Sequence, residues 1–210
     1  MDLLSLHHRS SVIIRNFKTI SNAGLAYLAY FYFDFKDKAK QDSHALLSSL
    51  LVQLSDQSDQ FCDVLLELYS THKGGSEQPS NASIARCLKN MFAIVGQVPI
   101  YLIIDALDEC PNTTGVPSSR EKVLGLVEEF VNLRHPNLRI CVTSRPEFDI
   151  CTVLGPLAAQ QLSLQDESGQ MQDIVYYVTS VVRSDRRMKR WKDEAKNMVI
   201  EKLTEKADGM

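Results

Sequence analysis

Ile100-Tyr-Leu-Ile-Ile-Asp-Ala-Leu-Asp-Glu-Cys110 constrains the fold of this chain more than any other stretch. Five apolar or aromatic residues in a row end in an acidic cluster. The run is too short to span a membrane and is rich in β-branched and aromatic residues. It therefore predicts a fully buried parallel strand. Carboxylates at the C-terminal tip of such a strand lie where open α/β sheets place their ligands. Asp105, the first acid, is placed to hold Mg²⁺, directly or through water. Asp108 or Glu109, just past the strand end, could polarise a water. A buried strand followed by an acidic helix start or turn shows the same pattern, so the stretch does not decide function by itself.

Other segments predict helices around this strand. Residues 9–20 place Val12 or Ile13, Phe17 and Ile20 at helical spacing, with Ser10 or Ser11 as cap. Asn22-Ala-Gly24 breaks that helix. The second half of Leu25–Phe35 reads as a buried strand. Ser43 is expected to cap a helix with Leu46, Leu47, Leu50, Leu51 and Leu54 on one face. A further helix from about Asp59 turns Phe61, Leu65 and Leu68 inward and ends at His72-Lys-Gly-Gly75. Ser80 or Asn81 caps the next, with Ile84, Leu88, Met91, Phe92 and Val95 apolar, and Gly96 stops it. Ser118-Ser-Arg-Glu121 has the form of a capping box and opens a helix with Val123, Leu126, Val127 and Phe130 inward. Leu138–Thr143 is another short buried strand, ending in Ser144-Arg145-Pro146. Gln160–Leu164 is a candidate strand. Ile174, Tyr177, Val178, Val181 and Val182 mark one late helix. Trp191, Ala195, Met198, Val199 and Leu203 mark the last. Strands alternating with helices predict an α/β fold, a parallel sheet covered on both faces.

Two predicted strands thus end in polar residues at one sheet edge, at Asp105 and at Thr143-Ser144-Arg145. One helix and two short loops separate them, the spacing of a right-handed β-α-β crossover. The crossover can bring Arg145 near Asp105. Acids for a metal and an arginine for a terminal phosphate suit Mg²⁺-nucleotide. For Arg145 alone, an ordinary surface salt bridge is the plainer explanation.

Leu-Ile-Ile-Asp-Ala-Leu-Asp-Glu-Cys (102–110) resembles the Walker B motif of NACHT-type NTPases of the STAND class, which favours a small residue after its aspartate, here Ala106. Arg-Ile-Cys-Val-Thr-Ser-Arg-Pro (139–146) resembles the sensor 1 strand of the same class. The region Leu25–Leu54 resembles fungal NACHT proteins, which are often built with ankyrin or WD40 repeats. The resemblance runs from about residue 10 to the end. It implies a three-layer P-loop-NTPase-like fold. It also implies ATP or GTP bound with Mg²⁺, and a signalling switch whose nucleotide state controls homo-oligomerisation and contacts with other protein domains. It gives Asp105 the metal, Glu109 or Asp108 water activation, and Arg145 with Ser144 the nucleotide phosphates. Residues 1–165 would be the NACHT core and 166–210 the start of a following helical region, truncated after Gly209-Met210.

One departure bears on the site. The class carries G-x-x-x-x-G-K-[ST], and this sequence does not; Lys18-Thr19 has no glycine loop before it. The P-loop strand of the class lies beside the sensor strand, so an unpaired sheet edge and an incomplete phosphate site are expected. The chain is expected to bind nucleotide weakly or not at all. The rival expectation is a non-catalytic pseudo-NTPase that serves protein interaction.

Composition narrows the remainder. The length of 210 residues fits one domain or slightly more, and 44% hydrophobic residues can supply a core. A net charge of −3 gives no sign of a nucleic-acid partner. Among Arg183–Lys192 the basic residues interleave with Asp185 and are followed by Asp193 and Glu194, as in a solvated connector. The N-terminus lacks secretory features and no window has transmembrane length, so no membrane partner and a cytoplasmic location are expected. Five scattered cysteines without a CxxC pair suggest reduced thiols. His7-His8 has no partner at ligand spacing.

Overall fold

The computed structural model describes residues 14–94, 96, 98–112, 116–162 and 168–207. Described residues up to Ala158 form one compact unit, and those from Ala159 onward form another. Ser10, Ser11, Val12, Ile13, Val95 and Leu164, named above, lie outside the described residues.

The first unit is built on three parallel strands. These are β1 (Tyr27–Tyr32), β2 (Ile100–Asp105) and β3 (Leu138–Val142), in spatial order β1-β2-β3. Tyr27 pairs with Ile100 and Tyr32 with Asp105; Ile100 pairs in turn with Leu138. Residues paired across strands share a sheet face. One face therefore carries Ala29, Phe31, Ile100, Leu102, Ile104, Leu138, Ile140 and Val142, and the other carries Tyr30, Tyr101, Ile103 and Asp105.

The apolar face meets the leucine-rich helix α2 (Ser43–Ser55), then α3 (Asp59–Thr71), α4 (Asn81–Phe92) and α5 (Ser119–Asn132). Leu46, Leu47, Leu50, Leu51 and Leu54 are all buried in one cluster with Ala29 and Phe31. That is the stripe its spacing predicts. The Phe61 ring lies 4.7 Å from Tyr27, and the Phe92 and Phe130 rings lie 5.4 Å apart. On the opposite face, residues 14–22 form α1. Its Phe17 ring stands 4.4 Å from Tyr101, and the Lys18 ammonium lies 4.8 Å from the centre of the Tyr30 ring. Helices on both faces of a parallel sheet make the α/β, three-layer architecture that the sequence predicts.

The local start signals are nearly as read. Ser80 caps α4 by accepting the Ser83 N–H at 3.2 Å, and Ser118 with Glu121 completes the capping box of α5. The cap of α2 is Asp42, not Ser43: its carboxylate accepts the Ala45 N–H at 2.8 Å. Ser43 is instead buried and accepts a hydrogen bond from Asn81 at 2.9 Å. Short helix α6 (Phe148–Leu154) follows β3.

The second unit contains α7 (Ser168–Ser184) and α8 (Asp193–Ala207), packed on each other. Both late helices are present as their spacing marks them; Val182 is buried, and Tyr177, Met198, Leu203 and Trp191 are exposed. Helical spacing identifies a shared face; it does not say that anything covers that face. Residues 160–162 form no strand. Among the described residues no helix is long and apolar enough to cross a membrane.

Candidate functional site

Thr143 makes four of the contacts that join the tips of β2 and β3. Its N–H donates to the Ile104 carbonyl at 2.9 Å, continuing the strand ladder. Its carbonyl accepts the Leu107 N–H at 3.0 Å, and its hydroxyl oxygen accepts the Ala106 N–H at 3.1 Å. The same hydroxyl donates to the carboxylate of Asp105, which is only 4% exposed. The chain reverses at Ala106, which takes the left-handed conformation at φ 54°. A β-branched or bulky residue is strongly disfavoured there, which accounts physically for the small residue after the aspartate. A 3₁₀ turn, Leu107–Glu109, follows.

The reversal separates the acids that stand close in sequence. Asp108 turns toward β3. Its Oδ1 accepts the Arg145 N–H at 3.0 Å, and its Oδ2 lies 3.3 Å from Arg145 Nε. Glu109 turns toward the loop after β1, where Oε2 accepts the Phe35 N–H at 3.1 Å. Its Oε1 is buried without a hydrogen-bond partner. Ser144 is half-buried between Thr143 and Arg145. Asp105 and Arg145 therefore lie at neighbouring strand ends, as their spacing implies. Asp108, however, is the acid that meets the arginine.

Arg120, in the first turn of α5, is the residue that sequence reasoning missed. It is 6% exposed and fully engaged. Nε donates to the Cys110 carbonyl at 2.9 Å and Nη2 to the Asp108 carbonyl at 2.5 Å. Nη1 pairs with Glu147 and lies 3.3 Å from Asp149, which precedes and opens α6, respectively. Burial opposes its charge, but the hydrogen bonds and ion pairs with Glu147 and Asp149 outweigh this and hold its pKa above the ordinary value. One guanidinium thereby ties the acidic turn to α5 and to the segment after β3. A signal was present: Arg120 stands three residues before Val123 on the inward stripe. Cys110 lies beneath it, with burial pushing its thiol to about 12.

The geometry limits the chemistry. Three carboxylates within five residues look like a metal site, yet they point to different partners. Among the described residues no group of three His, Cys, Asp or Glu side chains could hold a metal ion. The residues therefore do not fit a Mg²⁺ ion held by protein groups alone. What remains is one guanidinium, 44% exposed at its side chain, beside a hydroxyl and a backbone turn. Such an arrangement suits a phosphate oxygen, provided Arg145 releases Asp108.

Among known families, the model described as nephrocystin 3, N-terminal, matches residues 8–145. This is more than half of the chain and takes in all three strands, the acidic turn and Arg145. The chain belongs to that family. No curated protein matches it.

Proposed function

We propose that this member of the nephrocystin 3 N-terminal family is a NACHT-type nucleotide-responsive signalling module of the STAND class, carrying the strand-tip half of the phosphate site. The observation that supports it best is the junction of β2 and β3. Thr143 joins Asp105 to the reversal, and the Asp108–Arg145 pair bridges the two tips. Phosphate arriving at this edge would compete with Asp108 for Arg145. Exchanging that partner would loosen the link between the tips, which is how nucleotide state would reach the rest of the fold.

Affinity for nucleotide is low on this reading. One charge-assisted contact contributes on the order of 1.5–3 kcal/mol. Association costs roughly 4 kcal/mol or more before any gain appears. Arg145 must also give up Asp108. Titration calorimetry with ATP and with GTP, with and without Mg²⁺, should detect nothing tighter than about millimolar. Micromolar binding abolished by Asp105→Ala would overturn this estimate and assign the acids to a working metal-nucleotide site.

A second reading, a non-catalytic interaction module, is favoured by the divergence of Asp105, Asp108 and Glu109. It expects no nucleotide effect at any concentration.

A further inference from the structure

Among the described residues β1 ends the sheet on one side. In a parallel ladder alternate residues turn their N–H and C=O groups to opposite neighbours. Tyr27 and Phe33 donate toward β2, to the Pro99 carbonyl at 2.8 Å and the Asp105 carbonyl at 3.0 Å. Leu28 and Tyr30 therefore turn theirs outward. Such a row is ordinarily a template for another strand. Here two side-chain amides occupy it. Gln57, in the turn just past α2, accepts the Leu28 N–H at 2.9 Å and donates to the Leu28 carbonyl at 2.7 Å. Gln53, on α2, accepts the Tyr30 N–H at 3.1 Å and donates to the Tyr30 carbonyl at 2.7 Å.

The match is one of spacing and of chemistry. Four residues along a helix advance about 6 Å and two along a strand about 6.6 Å, so glutamines four apart meet outward groups two apart. An amide side chain offers two acceptor lone pairs and two N–H groups. Gln57 uses all four: its oxygen also accepts the Ser21 hydroxyl of α1 at 3.1 Å, and its nitrogen also donates to the Gln53 carbonyl at 2.6 Å. Gln53 is steadied by Ser49, whose carbonyl and hydroxyl accept from Nε2 at 3.2 and 2.9 Å. A carboxylate could not donate to the strand carbonyls, and an asparagine is one methylene short. Each glutamine thus presents the donor and acceptor of a peptide group to β1. At the end of the same strand the Lys40 ammonium lies 4.2 Å from the centre of the Tyr32 ring and 3.2 Å from its hydroxyl, which sets a charge there.

We propose that Gln53 and Gln57 form a strap that stands in for a further strand and bars a second copy of this chain from pairing with β1. The strap ties three layers at one point: Ser21 of α1, the edge of the sheet and the end of α2. A strand from another copy would have to displace both amides and leave Ser21 and Ser49 without them, so the native fold resists strand addition on this side. The role is independent of the nucleotide reading, because every bond in it lies away from the tips of β2 and β3.

Amide hydrogen exchange and light scattering on the full chain test it. In dilute wild-type protein the Leu28 and Tyr30 amides should be protected. The double variant Gln53→Leu with Gln57→Leu keeps the bulk but neither donates nor accepts. Its Leu28 and Tyr30 amides should exchange about tenfold faster, while Ala29, which faces β2, keeps its protection. The same variant should associate more strongly than wild type, and its Leu28 and Tyr30 protection should return at high concentration as a second copy supplies the bonds. Gln53→Glu with Gln57→Glu still accepts both N–H groups but sets like charges along the edge, so it should associate no more than wild type. Where the double leucine change unfolds the chain by circular dichroism, Gln57→Leu alone carries the same readouts at Leu28. Unaltered Leu28 and Tyr30 exchange in a folded leucine variant overturns the proposal. So does a folded leucine variant that associates no more than wild type, or a glutamate variant that associates as the leucine variant does.

Discussion

Replacing Arg120 by alanine should be among the costliest single changes in this fold. The guanidinium is 6% exposed and serves two backbone carbonyls and two carboxylates. Removing it strands the Cys110 and Asp108 carbonyls, at about 1–3 kcal/mol for each buried group left without a donor. The Glu147 and Asp149 side chains are 42% and 30% exposed, so water rehydrates them and they add little. The total should approach the roughly 3–5 kcal/mol seen when one partner of a buried pair is removed. Against a whole-domain stability of about 5–15 kcal/mol, this is a large fraction. With a urea dependence of about 1–3 kcal/mol per molar, the unfolding midpoint should fall by roughly 2 M. Arg120→Lys should recover only a minor part, because an ammonium cannot span acceptors on the acidic turn and α6 together. Urea unfolding followed by circular dichroism provides the numbers. A loss below about 1 kcal/mol, the size of one ordinary hydrogen bond, would refute the claim that this residue ties the turn to α5 and α6.

Leu50 is wholly buried on α2, so Leu50→Ala should cost roughly 2–5 kcal/mol in thermal or chemical unfolding. A wild-type melt would mean that the helix faces elsewhere. Ala106 pays for its left-handed backbone, and Ala106→Gly should raise stability by about 0.5–1 kcal/mol, measured the same way. Burial pushes the Cys87 thiol to about 11 and that of Cys110 to about 12. Above the unfolded thiol pKa the unfolded chain loses these protons while the native chain keeps them. Stability should therefore fall from about pH 9 upward, by at most about 1.4 kcal/mol per pH unit for each thiol, and the Cys110→Ala variant should show a shallower slope. Maleimide mapping at mild pH should modify Cys62, Cys141 and Cys151 in the folded protein and spare Cys87 and Cys110, which are buried.

The elements that sequence revealed are those whose physics is local. Apolar runs ending at Asp105 and Thr143 identify β2 and β3, and one intervening helix makes them neighbours. The leucine stripe of α2 identifies the buried face because burial and helical period coincide there. What sequence could not resolve depends on where the backbone turns. Asp105, Asp108 and Glu109 look like one cluster until the left-handed step at Ala106 sends Asp108 to Arg145 and Glu109 to Phe35. Ser43 and Asp42 are both good caps, and only the entry angle of α2 selects the aspartate. Gln53, on α2, and Gln57, in the turn just past its end, show no sequence sign that they hold the Tyr30 and Leu28 backbone groups of β1. Arg120 was hidden because charge at a helix start normally means exposure. The exposed Tyr177 and Met198 show the converse, an apolar stripe without cover.

Amide-resolved NMR of the chain titrated with Mg²⁺-ATP to several millimolar tests most directly whether the joined tips of β2 and β3 receive nucleotide phosphate. The account predicts gradual shifts concentrated at Ala106, Asp108, Thr143, Ser144 and Arg145, absent from the Arg145→Ala variant. Shifts that scatter elsewhere, persist in that variant or never appear would contradict the nucleotide site and leave the interaction module standing.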